Sequence, residues 1–253
     1  QAAINSGINE DKTATTINQV CGSGLAAITL GFNSLKLNDA NIVIAGGQES
    51  MTNSPHYLNF RMGKNLSEEK LKDTMLVDGL LDAYNDYHMG VTAENIAEKY
   101  QITRNDQDNF AFNSQKKAIK AINENKFKDE IVPLKLKNQK IFDTDEYPRS
   151  DTNLEKLSNL KTVFKASGTV TAGNASGLND GAAAVTLMNY KTSIDKGLKP
   201  IAKIISWAQS GVDPKLMGTG PIPASRLALK KAGWNINDLD LVESNEAFAA
   251  QSI

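Results

Sequence analysis

Residues 15–50 constrain the fold more than any other stretch of this chain. Thr15, Thr16, Ile17 and Val20 are β-prone and run into a tight turn, Cys21-Gly22-Ser23-Gly24. Leu25, Ile28, Phe32 and Leu35 then recur at three and four residues, the period of an amphipathic helix. Ile42-Val43-Ile44-Ala45 follows as a short apolar strand, which Gly46-Gly47 is expected to close. A helix can bury its apolar stripe only against another layer, so strand, helix and strand in this order argue for an α/β architecture.

The texture changes after this stretch. Residues 51–178 are polar and rich in Asn and Lys, with two helices legible in them. Thr92 is expected to cap one, with Ala93, Ile96, Ala97 and Tyr100 on a single face. Thr103 and Asp106 open the other, which runs to about Asn125, before Ile131-Val132-Pro133. So long an insertion between core elements usually carries a site or an interface. From 179 the α/β pattern returns. Ala183–Met188 and Ile201–Ile205 read as strands, Ala224–Ala232 as a helix stopped by Gly233, and Leu239–Val242 as a strand leading into Asn245-Glu246-Ala247-Phe248.

Composition excludes several classes of function. The 28 Lys and Arg nearly balance 29 Asp and Glu, a net charge of −1, so no basic field holds nucleic acid or an anionic membrane. The single cysteine excludes an internal disulfide framework and suits the reducing cytosol. With two histidines besides, metal ligation is not expected. No run approaches the ~20 apolar residues of a membrane helix. Neither Gln1 nor the small-residue run ending at Ile253 reads as a domain boundary, so the chain is expected to be a fragment.

Cys21 is the sharpest candidate for chemistry. At a strand-to-helix turn a thiol faces the positive end of the helix dipole, which favours thiolate, and unengaged N–H groups of the glycine-rich turn are expected to stabilise an oxyanion. The competing reading is a buried structural cysteine. His88 reads either as a base for it or as a hydrogen-bonding wall residue, and His56 as a solvated loop or interface residue. Ala172-Gly173-Asn174-Ala175-Ser176-Gly177 offers small side chains and backbone amides to a ligand, or simply a turn. Asn245-Glu246 could hold a water or cap a helix. Arg149 suits either a phosphate or a surface ion pair.

Five segments, in this order, resemble the thiolase family: Asn18-Gln19-Val20-Cys21-Gly22-Ser23-Gly24, Ala45-Gly46-Gly47-Gln48-Glu49-Ser50-Met51, His88-Met89-Gly90-Val91-Thr92-Ala93-Glu94-Asn95, the run from Gly173 to Ala182, and Asn245-Glu246-Ala247-Phe248-Ala249. The resemblance implies a layered α-β-α-β-α fold with an inserted loop domain and a truncated C-terminal half. Residues 1–52 and 179–199 would form the incomplete N-terminal half, 53–178 the loop domain, and 200–253 the start of the C-terminal half. It also implies an acetyl-CoA C-acetyltransferase that condenses or thiolyses acyl-CoA thioesters through an acetyl-cysteine. No cofactor is implied beyond coenzyme A as substrate and product, with acetyl-CoA and acetoacetyl-CoA as its partners and a homodimer or homotetramer as its assembly.

Roles follow position by position from the same resemblance. Cys21 is the acylated nucleophile, and Asn245 holds a water in an oxyanion hole. Ser176 touches the pantetheine amide, with Ala172 and Ala175 alongside, and His88 is a pantetheine contact instead of the base. Met89, Phe164, Met217 and Phe248 wall the thioester, while Arg149, Glu155 and Leu160 lie at the nucleotide end. The His88-Met89 pair resembles the short-chain acetoacetyl-CoA branch. A broader-chain 3-ketoacyl-CoA thiolase, a ketoacyl synthase of the same superfold and a non-catalytic coenzyme A binder stay open as alternatives. Counterparts of the family's first core strands, of its Gly-His-Pro base histidine and of its Cys-Gly-Gly-Gly second cysteine are missing from these residues, so the chain alone is expected to turn over little.

Overall fold

A computed structural model describes residues 1–59 and 70–253 of the chain; residues 60–69 of the segment 53–178 lie outside the described residues. In chain order the elements are α1 (Ala2–Asn5), α2 (Ser23–Lys36), β1 (Ile42–Ser50), a 3-10 turn (Met51–Asn53), β2 (His56–Tyr57), β3 (Lys72–Asp73), a π-helical turn (Met75–Leu80), β4 (Leu81–Asp82), β5 (Tyr87–His88), α3 (Met89–Tyr100) and α4 (Arg104–Asn123). They continue with β6 (Leu134–Lys135), β7 (Ile141–Phe142), α5 (Leu154–Ser158), β8 (Asp180–Met188), α6 (Tyr190–Asp195), a 3-10 segment (Pro214–Thr219), α7 (Pro221–Ala232), a 3-10 turn (Ile236–Asp238) and α8 (Ala249–Ser252). The chain divides into two compact units, residues 1–51 with 180–204, and residues 52–179 with 205–253.

The first unit is α2 laid on an antiparallel pair. β1 and β8 run from Ile42 opposite Met188 to Ser50 opposite Asp180. Ala26, Gly31 and Leu35 form the buried stripe of α2. Burying a leucine side chain such as Leu35 is worth about 2 kcal/mol. A Cβ on Gly31 would press on Val43 at 2.9 Å and Leu187 at 3.0 Å, so glycine is what lets the helix approach the sheet. Leu25, expected on the buried face, is 73% exposed.

The glycine pair does not close β1. The strand continues to Ser50, and Gly46 lies opposite Ala184, where any side chain would strike the Ala183 carbonyl. The strands expected at 15–20, 201–205 and 239–242 are not formed: no ladder runs through them among the described residues. Ile201 is 104% exposed and Leu241 89%. β-prone composition sets a local preference, but an extended backbone becomes a strand only when a neighbour takes its N–H and C=O groups.

The second unit is mainly helical. Ala93, Ile96 and Ala97 are buried as the period requires, whereas Tyr100 is half exposed. Thr92 is not the cap of α3. The helix starts at Met89, and His88 caps it by accepting the Gly90 N–H on Nδ1 at 3.0 Å. Thr92 instead turns its hydroxyl back to the Met89 carbonyl at 2.6 Å. α4 has the expected capping box, with Thr103 and Asp106 each bonding the other's backbone. The Thr103 hydroxyl, which donates to Asp106 Oδ2 at 2.6 Å, and then the Thr103 N–H, at 2.9 Å, hold the Asp106 carboxyl below its ordinary pKa. Gly233 ends α7 in the left-handed conformation at φ +71°. No helix among the described residues is long and apolar enough to cross a membrane.

Candidate active site

Cys21 is exposed, which removes the buried structural reading. Its turn is held by bonds among its own neighbours. Asn18 Oδ1 accepts the Val20 N–H at 2.8 Å, and Ser23 Oγ accepts the Gln19 N–H at 2.8 Å while donating to the Val20 carbonyl at 2.6 Å. Val20 itself sits at φ +48°, a left-handed conformation unusual for a β-branched residue. Strain at such a residue persists only where the surroundings over-determine it. The expectation that the turn's N–H groups are unengaged fails for two of them. Gly22 N–H donates to the Gln19 carbonyl at 3.0 Å, and Ser23 N–H to the Val20 carbonyl at 3.1 Å. β1 passes close to the start of α2, where a Cβ on Gly47 would lie 3.6 Å from Gly24 Cα.

In the second unit three predicted residues come together as an aromatic wall. The Phe164 ring stacks on His88 with centroids 4.7 Å apart and meets Phe248 edge-on at 6.3 Å. Gly90 makes this possible, because any side chain there would overlap the Phe164 ring. Because His88 Nδ1 accepts a backbone proton, the neutral ring carries its own on Nε2 and can donate from there. Burial lowers the His88 pKa below its ordinary value of 6.5 and so favours that neutral form. Met89, half-buried, begins α3 beside it.

The small-residue loop is joined to this wall. Ser176 N–H donates to the Ala247 carbonyl at 2.9 Å, Ala249 N–H to the Asn174 carbonyl at 2.9 Å, and Ala175 bridges Phe248. The residues around Asn174 are gripped from beneath. Glu94, on α3 and almost fully buried, accepts the Thr169 and Val170 N–H groups and the Thr169 hydroxyl, each at 2.9 Å. Gln107, on α4, donates to the Thr169 hydroxyl at 2.8 Å. Asp108 Oδ1 accepts from Asn174 Nδ2 at 3.0 Å. Val170, Thr171 and Asn174 face inward, leaving Ala172 and Ser176 exposed.

Beside the loop lies a cleft of ≈ 190 Å³, lined among others by Phe110, Ser114, Gln115, Tyr147, Ser176 and Glu246. Drug-sized ligands fill clefts of about 300–1,000 Å³, so this one accommodates only part of such a molecule. Ser114 Oγ donates to Glu246 Oε2 at 2.5 Å, and Gln115 Oε1 accepts the Arg149 N–H at 2.8 Å. Arg149 thus sits near the cleft through its backbone. Its guanidinium also acts, after the closer Lys156, to hold the Asp151 carboxyl below its ordinary pKa. Glu155 lies exposed in the first turn of α5, and Leu160 packs where Gly173 leaves room for it. Asn245 is exposed just ahead of Glu246, and Met217 is 43% exposed on the 3-10 segment Pro214–Thr219. Among the described residues no three metal-ligating side chains cluster.

Glu94, Gln107, Asp108 and Ser114 were not singled out from the sequence as site residues. Glu94 gave one signal, a carboxylate set among Ala93, Ile96 and Ala97 on an otherwise apolar face.

The thiolase N-terminal domain model matches residues 1–191, and the thiolase C-terminal domain model residues 198–253. The chain belongs to the thiolase family. Over its whole length it is 55% identical to an acetyl-CoA acetyltransferase of Paracoccus denitrificans and 52% identical to one of Shinella zoogloeoides. It spans 66% and 65% of those thiolase-family relatives. Among solved structures it superposes on the Bacillus anthracis acetyl-CoA acetyltransferase with a TM-score of 0.95 at 44% identity, covering 99% of this chain and 64% of that one. A human mitochondrial 3-ketoacyl-CoA thiolase in complex with CoA gives 0.95 at 42%, covering 98% and 63%. The described fold is therefore a thiolase fold.

Proposed function

We propose that the protein carries out acetyl-CoA C-acetyltransferase chemistry, with Cys21 as the acyl acceptor. The observation that carries this reading is Cys21 itself: exposed, on a turn whose strained geometry is over-determined by its neighbours. In thiolysis its thiolate attacks the 3-keto carbon of acetoacetyl-CoA. The C2–C3 bond breaks, its electron pair stays on C2 of the departing acetyl-CoA, and that carbon takes up a proton. The thiolate of free CoA then attacks the acetyl-cysteine and expels the Cys21 thiolate. Sulfur suits both steps because it is a good nucleophile and a good leaving group.

The remaining roles belong to the same proposal. Ser176, Ala175 and Ala172 contact pantetheine through the exposed side of their loop, and His88 donates from Nε2 to a polar atom of the thioester arm. Phe164, Phe248, Met89 and Met217 exclude water from the acyl end, Asn245 orders a water, and Arg149, Glu155 and Leu160 meet the nucleotide. No group beyond coenzyme A is invoked. The test is thiolysis by the whole protein of acetoacetyl-CoA and longer 3-ketoacyl-CoA esters, with an acyl-carrier thioester as the rival substrate. Turnover is expected to concentrate on the four-carbon substrate and to be abolished in Cys21→Ser. Turnover that survives Cys21→Ser, or a preference for the carrier thioester, contradicts it.

A further inference from the structure

Arg104, Asp108 and Asn174 make a chain of contacts that no role above uses. Arg104 and Asp108 are one turn apart on α4, with Nε to Oδ2 at 2.8 Å, and the Asp108 side chain is 5% exposed. The other Asp108 oxygen takes the Asn174 Nδ2 proton at 3.0 Å. Asn174 also donates to the Thr169 carbonyl at 3.1 Å and accepts the Thr171 N–H at 2.8 Å. Its backbone carbonyl receives Ala249 N–H, at the start of α8. In the other direction Arg104 Nη2 donates to the Leu157 carbonyl at 2.6 Å and the Leu160 carbonyl at 3.1 Å, which closes the end of α5. Leu157 and Leu160 in turn pack on Gly173.

The Arg104 side chain is 26% exposed and only Asp108 is buried, and such a pair is a poor source of stability, because desolvating the buried charge offsets most of the attraction. What this pair supplies instead is a set of directed bonds. Here its bonds end on the α5 terminus, on the loop 172–177 and, through the loop, on the segment 247–249. We propose that Arg104, Asp108 and Asn174 are positioning residues that pre-organise this loop and the Phe248 segment for the coenzyme A thioester. The binding half of the proposal rests on the function given above; the ordering half stands without it.

The test uses Asp108→Asn and Asn174→Ala in the whole protein. Asp108→Asn turns an amide donor toward Asn174 Nδ2, while Asn174→Ala leaves Arg104 and Asp108 paired. Loop ordering then has to be supplied by substrate, so KM for acetoacetyl-CoA is expected to rise about tenfold while kcat changes less than about threefold. Amide exchange is expected to quicken over 172–177 and 247–250 and to stay unchanged over β1 and β8. Leu35→Val, a core truncation in the other unit, controls for lost stability and should leave KM unaltered. If Asp108→Asn does not fold, Asn174→Ala decides. Unchanged KM and unchanged loop exchange in a folded variant overturn the proposal, as does exchange that rises evenly across the second unit. If the unsubstituted protein shows no thiolysis, the coenzyme A reading fails, and the exchange measurement still decides whether these residues order the loop.

Discussion

The turn at Cys21 and the loop at 172–177 are both small-residue segments, yet they are built in opposite ways. Three side-chain bonds of the Cys21 turn, between Asn18 and Val20, Ser23 and Gln19, and Ser23 and Val20, join residues no more than four apart on an exposed surface. The loop is held from below by Asp108, which bonds Asn174, and the residues leading into it, Thr169 and Val170, by Glu94 and Gln107; all three anchors are buried and lie 62 to 76 residues away in the chain. Short-range bonds of this kind suit a nucleophile that must be held in one orientation. An anchored loop depends on the whole unit and suits a surface that must hold one shape for a large ligand. The two should therefore fail differently when altered.

The largest difference is expected in activity. Cys21→Ala should reduce thiolysis by at least about a thousandfold. Because the side chain is exposed, it should shift stability by less than ~0.5 kcal/mol. Equal losses of activity and stability would erase the distinction. The next comparison is between anchors. Glu94→Ala leaves the buried Val170 N–H and its neighbours without an acceptor and should cost about 3 kcal/mol in urea unfolding. Ser23→Ala removes two exposed turn bonds and should cost about 1 kcal/mol. A reversed order would mean that the turn, and not the loop, depends on distant structure.

A smaller effect is expected from pH. His88 is held neutral by burial, so its folded-state pKa lies below 6.5 while the unfolded chain titrates near that value. Between the two the unfolded state binds more protons, and stability falls as pH drops through this window. Above pH 6.5 the contribution is fully present. Protonation of Nδ1 also removes the acceptor of the Gly90 N–H. The ring resonances of His88, followed by NMR, should titrate with a midpoint below 6.5; a midpoint above it would contradict the burial. The smallest change expected is Val20→Asn, which suits φ +48° better and should stabilise the protein by under ~1 kcal/mol in thermal melts.

This contrast also explains what the sequence made legible. The Thr103–Asp106 capping box, the Gly233 stop and the glycine-rich turn before α2 are written within a few residues, and each could be read directly. β1 and β8 were legible as apolar runs, although the passage of β1 through Gly46 depends on the Ala183 carbonyl, which is distant in sequence. The cap of α3 was placed on Thr92 because the sequence pattern cannot show that a histidine ring turns its Nδ1 to the Gly90 N–H. The runs at 201–205 and 239–242 have strand composition, but composition names no partner. The motifs around Cys21, His88 and Ser176 offered candidate residues, and Glu94 stood out as a carboxylate among apolar neighbours, whereas Asp108 and Arg104 look in sequence like ordinary helix-surface charges. Only the folded chain shows that α3 and α4 turn them inward.

Peptide mapping by mass spectrometry after incubating the whole protein with acetyl-CoA tests the central assignment most directly. An acetyl group is expected on the peptide containing Cys21, removed when free coenzyme A is added. An unmodified Cys21 in a sample that still exchanges acetyl groups, or an acetyl group carried on another side chain, would contradict it.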